Sequence, residues 1–176
     1  MSDQGTLSAE ERAIVEAAAA RARGALHSGS PLRDVLSVLT AAVEALGKHR
    51  VVASILVLDR EGLLRNGASP NLPADYLDAI DRLKPDPRVG TCAAAAATGE
   101  VVETPSFLED ARWSELRHLP MALGFAGAWS MPIKREGRVL GTFGTYFRER
   151  RRPTAAERAA MGVLAPVAAE AIAGAW

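Results

Sequence analysis

Two segments near the start of the chain repeat apolar residues with the spacing of amphipathic helices. Ser8 followed by Glu11 has the form of a capping box, which predicts the start of a first helix. Its apolar face would consist of Ile14, Ala18, Ala22 and Leu26. Ser30 and Pro31, a cap residue followed by a first-turn proline, predict a second helix that ends near Gly47. Its apolar stripe is formed by Leu32, Val35, Leu36, Leu39, Val43 and Leu46.

From residue 51 onward the pattern changes to short apolar runs that are rich in β-branched residues, as in buried strands. Val51–Leu58 is the clearest strand, and the turn at 59–62 predicts a hairpin with 63–68. The loop at Arg135-Glu136-Gly137 predicts a second hairpin. The other predicted strands are 100–103, 126–134 and 138–147.

Short helices and connections separate these strands. One helix is predicted over 74–83, and another starts near Thr91 and runs through five alanines to Gly99. The connection at 104–124 is long and contains some helix, and connections of this length usually cover a site or move.

A second capping box, Thr154 with Glu157, predicts a final helix. Its apolar face would be Met161, Leu164, Ala168 and Ile172. Runs of strands with helices at both termini favour an α+β fold, in which a central antiparallel sheet carries the N- and C-terminal helices on one face. No repeat or linker divides the sequence, so we expect a single domain over 1–176.

Composition narrows the classes of partner. The 176 residues include 21 Lys and Arg against 21 Asp and Glu, which gives a net charge of zero. A neutral chain without a polybasic segment argues against binding to nucleic acid or to a membrane surface. The single cysteine, Cys92, excludes an internal disulfide, a cysteine-rich zinc site and a dithiol cycle. Residues 1–10 have no signal-peptide pattern, so we expect a cytoplasmic location.

Several short motifs follow one another along the chain. They are residues 54–59, 67–73 with Tyr76, 89–92, 99–102, 128–133, 139–143 with Tyr146, and 153–154 with Glu157. Together they resemble the GAF family of small-molecule sensory domains, over about residues 30–175 and behind an N-terminal helix at 8–27. The subgroup to which the sequence is most similar includes inputs of bacterial sensor kinases and stand-alone nitrate-binding GAF proteins.

The resemblance implies a six-stranded antiparallel sheet with a ligand cavity under the connecting loops. It also implies a homodimer that forms through the terminal helices, and a sensor histidine kinase or another signalling protein as partner. Two segments beside the expected cavity depart from the family pattern, the alanine run at 93–97 and the segment at 103–105.

The turn formed by Gly90, Thr91, Cys92 and Ala93 is the first candidate binding site. A helix start offers unpaired N–H groups and the positive end of the helix dipole, which together can hold a small anion. The resemblance to nitrate-binding relatives adds the backbone of Gly67, Ala68 and Ser69 as the facing wall. The alternative is a helix start that only packs against the sheet. For Trp129, lining of the cavity and simple core packing are both open.

Catalytic and metal sites are not expected. Cys92 at a helix start, with His118 as base, could act as a nucleophile, but a buried and inert cysteine is favoured. The GAF proteins that reduce free methionine sulfoxide use a set of cysteines that this chain lacks. The three histidines have no spacing typical of metal ligands. The arginines at 148 and 150–152 could grip a phosphate, but a solvated loop is favoured.

The sequence therefore predicts a non-enzymatic bacterial sensor domain, without a cofactor, that binds a small inorganic anion such as nitrate and modulates a partner kinase or output domain. Two alternatives stay open. One is a larger ligand such as a cyclic nucleotide or haem. The other is a ligand-free dimerisation module that associates through the helix faces of Ile14 and Met161.

Overall fold

The structure is a computed structural model that describes residues 7–175. The helices are α1 Ala9–His27, α2 Leu32–Leu46, α3 Ala74–Ile80, α4 Cys92–Thr98, α5 His118–Ala122 and α6 Ala155–Gly174. The strands are β1 Val51–Leu58, β2 Leu64–Ala68, β3 Val102–Thr104, β4 Gly127–Arg135 and β5 Arg138–Phe147. This order of elements confirms the α+β fold class.

The five strands form one antiparallel sheet in the order β2-β1-β5-β4-β3. The resemblance had implied six strands, and within residues 7–175 that number is wrong. The edge beyond β2 carries only an isolated bridge between Leu64 and Leu83. Pro85 and Pro87 follow directly, and because proline has no N–H to give to a ladder, the bridge does not grow into a strand.

The sheet has helices on both faces, and its residues alternate between them. Helices α2 and α6 pack on one face, here called the helix face, and α1 packs on these two helices. Ile55, Phe143 and Phe147 join the largest apolar core there. The opposite face, here called the cavity face, carries α4 and the connection between β3 and β4. This division determines which side chains of β4 and β5 face each side of the sheet.

Local signals fixed most helix ends. Both capping boxes form: the Ser8 hydroxyl accepts from the Glu11 N–H at 3.0 Å, and the Thr154 hydroxyl accepts from the Glu157 N–H at 3.1 Å. The predicted cap at Ser30 is wrong. Pro31 is the residue at the cap position of α2, and no side chain caps this helix. Pro31 has an extended ψ of 146°, so the helical residues begin at Leu32 and Ser30 lies one position too early to cap them.

The β4–β5 hairpin turns more tightly than predicted. Arg135 pairs with Arg138 in the ladder, so only Glu136 and Gly137 form the turn. Both have positive φ, 55° and 78°, as a two-residue turn of this hand requires.

The terminal helices pack inside the chain. Met161 is 1% exposed in the core shared by α1, α2 and α6, and Ile14 packs against the same core. The faces that the sequence offered for dimerisation are therefore occupied within the protomer. None of the helices within residues 7–175 has the length and apolarity needed to span a bilayer.

Candidate functional site

A small enclosed cavity lies on the cavity face of the sheet, with a volume of about 30 Å³. That space holds one or two water-sized groups. Its walls come from the sheet, from α3 and the start of α4, and from the β3–β4 connection. The lining residues are Leu56, Tyr76, Ile80, Leu83, Gly90, Thr91, Cys92, Trp113, Leu116, Ala128, Trp129, Gly144, Thr145 and Tyr146.

Two tyrosines form the polar centre of this cavity. The hydroxyl oxygens of Tyr76 and Tyr146 lie 2.7 Å apart, and their rings meet edge to face with centroids 5.9 Å apart. Each residue is 4% exposed. Burial raises the pKa of both phenols, so both stay protonated near neutral pH. Two hydroxyl protons share one hydrogen bond, so one proton is left to donate to another acceptor.

The thiol of Cys92 lies at the start of α4 and lines the same cavity. The residue keeps some accessible surface, yet the protein around the sulfur raises the pKa of the thiol by desolvation. The hydroxyls of Ser130 and Thr142 partly oppose this shift, although neither has the alignment of a full hydrogen bond. A thiol with a raised pKa is a poor nucleophile at neutral pH.

A chain of hydrogen bonds occupies the side chain of Thr91. The indole N–H of Trp113 donates to the Thr91 hydroxyl at 2.8 Å, and the hydroxyl of Thr104 lies 3.0 Å from it. Thr104 donates its own proton to Asp110 at 2.7 Å, so the Thr91 proton must be the one shared between the two threonines. The Thr91 side chain therefore neither caps α4 nor keeps a proton for an anion.

The acceptor at the end of this chain is a charged carboxylate. Burial would raise the pKa of Asp110, but hydrogen bonds from Arg112 and Thr104 outweigh it and hold the pKa below its usual range. Arg112 also donates to the carbonyl of Glu103 at 3.1 Å. The N–H of Gly90 is used too, because it donates to the carbonyl of Arg112 at 2.8 Å. The β3–β4 connection is thus tied to the start of α4.

The structure brings together only part of the predicted site. Gly90, Thr91 and Cys92 line the cavity. Ala93 is fully buried in the packing of α4 on the sheet and does not line it. The residues predicted to form the facing wall, Gly67, Ala68 and Ser69, do not line the cavity either. They belong to the β2 edge, where Ala68 faces the helix core and Ser69 hydrogen-bonds Ser54 at 2.7 Å.

The indole of Trp129 packs on the helix face, in the core with Phe143 and Ile133. Its neighbour Ala128 faces the opposite side with Tyr146, as strand alternation requires. Trp129 therefore borders the cavity through its backbone. The alternation of side chains along β4 could have predicted this orientation. Ala128 pairs with Tyr146 and shares its face, so the next residue, Trp129, points to the other face.

The arginines after β5 are largely engaged by carboxylates. Arg150 pairs with Glu109, Arg151 pairs with Glu157, and Arg152 pairs with Glu103. These contacts leave little free charge for a phosphate at this loop, in line with the solvated-loop interpretation.

Comparison with known sequences gives a family. A family model described as a GAF domain matches residues 29–173. A relative in Methanosarcina acetivorans, described as a methyl sulfide methyltransferase-associated sensor, is 34% identical over 130 residues. That match covers 73% of this chain but 13% of the relative, so the chain spans a small part of that protein.

Comparison of the folds agrees. A domain assigned to a two-component sensor histidine kinase of Sinorhizobium meliloti superposes with a TM-score of 0.68 at 22% identity, over 82% of this chain and 92% of that chain. Free methionine-R-sulfoxide reductase from Neisseria meningitidis, solved with its substrate, gives a TM-score of 0.69 at 14% identity, over 96% and 93%. At these identities the likeness is one of fold.

Proposed function

The chain belongs to the GAF domain family, and on that premise we propose that it senses a small molecule bound in the cavity beside Tyr76 and Tyr146. The observation that carries the proposal is the tyrosine pair, which holds one uncommitted hydroxyl proton in an enclosed apolar space. Small-molecule sites in proteins have this character, an apolar wall with a few placed polar groups.

Nitrate is the finer form of the proposal. No carboxylate is among the residues that line the cavity, so an anion would meet no like charge there. The free tyrosine proton and the start of α4 would supply its donors. Gly90 and Thr91 would contribute less than the sequence indicated, because the Gly90 N–H and the Thr91 hydroxyl already serve Arg112 and Thr104.

An uncharged ligand is the second candidate, and the composition of the walls favours it. Leu56, Ile80, Leu83 and Leu116 surround the tyrosine pair. An ion entering this space must give up its hydration for few new hydrogen bonds, whereas an apolar molecule with one weak acceptor pays no such cost. The relative named for a methyl sulfide methyltransferase makes dimethyl sulfide the compound to test.

Ligand size is limited by the closed state of the cavity. A volume of about 30 Å³ is far below that of ordinary ligand pockets, which measure roughly 300–1,000 Å³. Even nitrate must displace part of the cover, and Trp113 and Leu116 of the β3–β4 connection form that cover. Haem or a cyclic nucleotide would require a far larger opening.

Movement of this cover is the proposed signal. A ligand that binds the open form more tightly than the closed form shifts the equilibrium toward the open form. The size of this shift is limited by the difference between the two affinities. The cover is tied to α4 through Trp113, and β3 beside it is tied to α6 through an ion pair between Glu103 and Arg158. The terminal helices would pass the change to a kinase or another output protein, without catalysis by this chain.

Isothermal titration with nitrate, nitrite, chloride and dimethyl sulfide, at matched ionic strength, tests the proposal. We expect one compound to bind with 1:1 stoichiometry and to raise the melting temperature. The double variant Tyr76→Phe/Tyr146→Phe keeps the ring volumes and should lose most of the binding of an acceptor ligand. Phe125, which packs beside Tyr146 with centroids 5.2 Å apart, gives the control variant Phe125→Leu. Absence of heat and of thermal stabilisation for all four compounds at millimolar concentration would reject these ligands and favour a ligand-free module.

A further inference from the structure

A second concavity lies on the helix face of the sheet, opposite the cavity described above, and Trp129 and Thr145 border both. It is an open groove of about 660 Å³ between the end of α2, the start of α6 and strands β4 and β5. This volume is in the range of small-molecule sites. The apolar side chains that line it are Val43, Leu46, Val51, Phe147, Ala156, Ala160 and Met161.

Two buried polar groups in this groove have no partner within residues 7–175. Trp129 and Thr145 border the groove, and neither the indole N–H of the first nor the hydroxyl of the second makes a hydrogen bond there. The two residues are directly paired across β4 and β5 and are each 1% exposed. Leaving such a group buried without a partner costs about 1–3 kcal/mol, so two of them on directly paired residues indicate a place built for an acceptor.

The chemistry of the two groups defines the acceptor. An indole N–H can only donate, and a hydroxyl can donate beside it, so a single oxygen atom between them would satisfy both. Neighbouring Arg151 is not available for this purpose, because its guanidinium makes two hydrogen bonds to Glu157, at 2.7 and 3.0 Å.

The rim of the groove carries charges of both signs, with one positive charge in excess: its cations are Lys48, Arg50, Arg148 and Arg151, and its carboxylates are Glu11, Glu149 and Glu157. Lys48 and Arg50 line it, are exposed, and form no ion pair with any carboxylate of the part of the chain that the structure describes. The charge of Glu157, in the wall, is offset by Arg151. An anionic ligand would therefore be attracted to the rim at short range, although the net charge of the chain is zero.

From these features we infer that the groove binds a small organic carboxylate with an apolar body. One carboxylate oxygen accepts hydrogen bonds from Trp129 and Thr145, and the apolar body lies on Val43, Leu46 and Met161. Solvent does not reach the two donors, so the ligand must displace a side chain at the floor. Met161 is unbranched and flexible, and it is the residue suited to move.

Benzoate is the probe, and the indole N–H resonance of Trp129 in ¹⁵N NMR is the readout. The resonance is assigned from its loss in Trp129→Phe or, if that variant does not fold, by exclusion with Trp113→Phe and Trp176→Phe. We expect benzoate to shift it downfield in a saturable way. Benzamide, the uncharged analogue, should bind about tenfold more weakly, and Thr145→Val and the double variant Lys48→Gln/Arg50→Gln should each weaken benzoate by a similar factor.

Three results would overturn the inference. The first is an unmoved Trp129 resonance at tens of millimolar benzoate. The second is a shift of equal size for benzamide and in the Thr145→Val protein, which would show non-specific contact. The third is a change of the Trp129 resonance without any probe. A change on removal of residues 1–6 would show that the chain itself occupies the groove, and a change on dilution would show that a second copy does. Saturating nitrate should leave the benzoate shift in place, since the two sites lie on opposite faces of the sheet.

Discussion

The hydroxyl oxygens of Tyr76 and Tyr146 lie 2.7 Å apart, although 70 residues separate them in the sequence. One residue comes from the short helix α3 and the other from the end of β5. Their contact joins a surface helix to the centre of the sheet, and it places the free proton of the pair at the cavity. Loss of this contact is expected to affect both stability and ligand binding.

A double-mutant cycle measures that contact. Tyr76→Phe and Tyr146→Phe should each lower the free energy of unfolding by about 1 kcal/mol, because each leaves the other hydroxyl buried without a partner. The double variant should cost less than the sum of the two, with a coupling energy of about 1 kcal/mol. Urea denaturation of the four proteins gives the values. Strict additivity would show that the hydroxyls do not depend on each other.

Removal of the unpaired hydroxyl of Thr145 is expected to stabilise the protein, in contrast to the tyrosine variants. Thr145→Val replaces a buried hydroxyl that has no partner by a methyl group, so the free energy of unfolding should rise by about 1 kcal/mol in the absence of ligand. Thr104→Val is the matched control. Thr104 is equally buried but donates to Asp110, and its change should cost about 1–3 kcal/mol. Destabilisation by Thr145→Val would show that the hydroxyl has a partner, such as a bound water.

The thiol of Cys92 should react slowly. Burial raises its pKa, so at pH 7 the thiolate is scarce. We expect a disulfide reagent to modify the folded protein at least about a hundredfold more slowly than the same protein in urea. A rate near that of a free thiol would contradict the buried position and reopen a catalytic role for Cys92.

Acid should weaken the start of α6. Burial works to raise the pKa of Glu157, but hydrogen bonds from Arg151 and from the Thr154 N–H outweigh it, and the pKa lies below the ordinary 4.5. A carboxylate whose pKa is lower in the folded than in the unfolded protein stabilises the fold at pH values above its unfolded-state pKa. This stabilisation is lost as the pH falls through the folded-state pKa. Glu157→Gln should therefore cost about 1–2 kcal/mol at pH 7 and progressively less below pH 4.5, as chemical denaturation across pH would show.

If the stability difference between the wild type and Glu157→Gln were constant from pH 7 to pH 3, Glu157 would not be the titrating group. The matched control is Glu11→Gln at the other capping box, where the side chain accepts from the Ser8 N–H at 2.9 Å. Glu11→Gln changes the corresponding contact at the start of α1, and it therefore reports the loss of a capping hydrogen bond alone.

Local patterns were sufficient for most of the fold. Val51–Leu58 and Arg138–Phe147 have the bounds read from their β-branched runs, and the capping boxes at Ser8 and Thr154 form as expected. These features depend on neighbours within a few residues. The missing sixth strand depends instead on two prolines beside Leu83, whose effect appears only where β2 needs a partner.

The site could be predicted only in part, because its contacts join distant segments. The turn at Gly90, Thr91 and Cys92 was visible as a helix start. That Trp113 and Thr104 would use the Thr91 hydroxyl depends on how the β3–β4 connection folds back, and no local pattern encodes that. The wall expected at Gly67, Ala68 and Ser69 lies at the β2 edge, outside the lining of the cavity, and the packing of Ala68 against the helix core is a contact between distant segments.

Mapping of a nitrate and a dimethyl sulfide titration by ¹H–¹⁵N NMR tests most directly whether the cavity beside the tyrosine pair is the sensory site. For the compound that binds, we expect saturable shifts at the backbone amides of Thr91, Cys92 and Gly144 and at the indole N–H of Trp113, with loss of these shifts in Tyr76→Phe/Tyr146→Phe. No saturable shift at these positions with either compound, or shifts confined to the helix face, would contradict this role of the cavity.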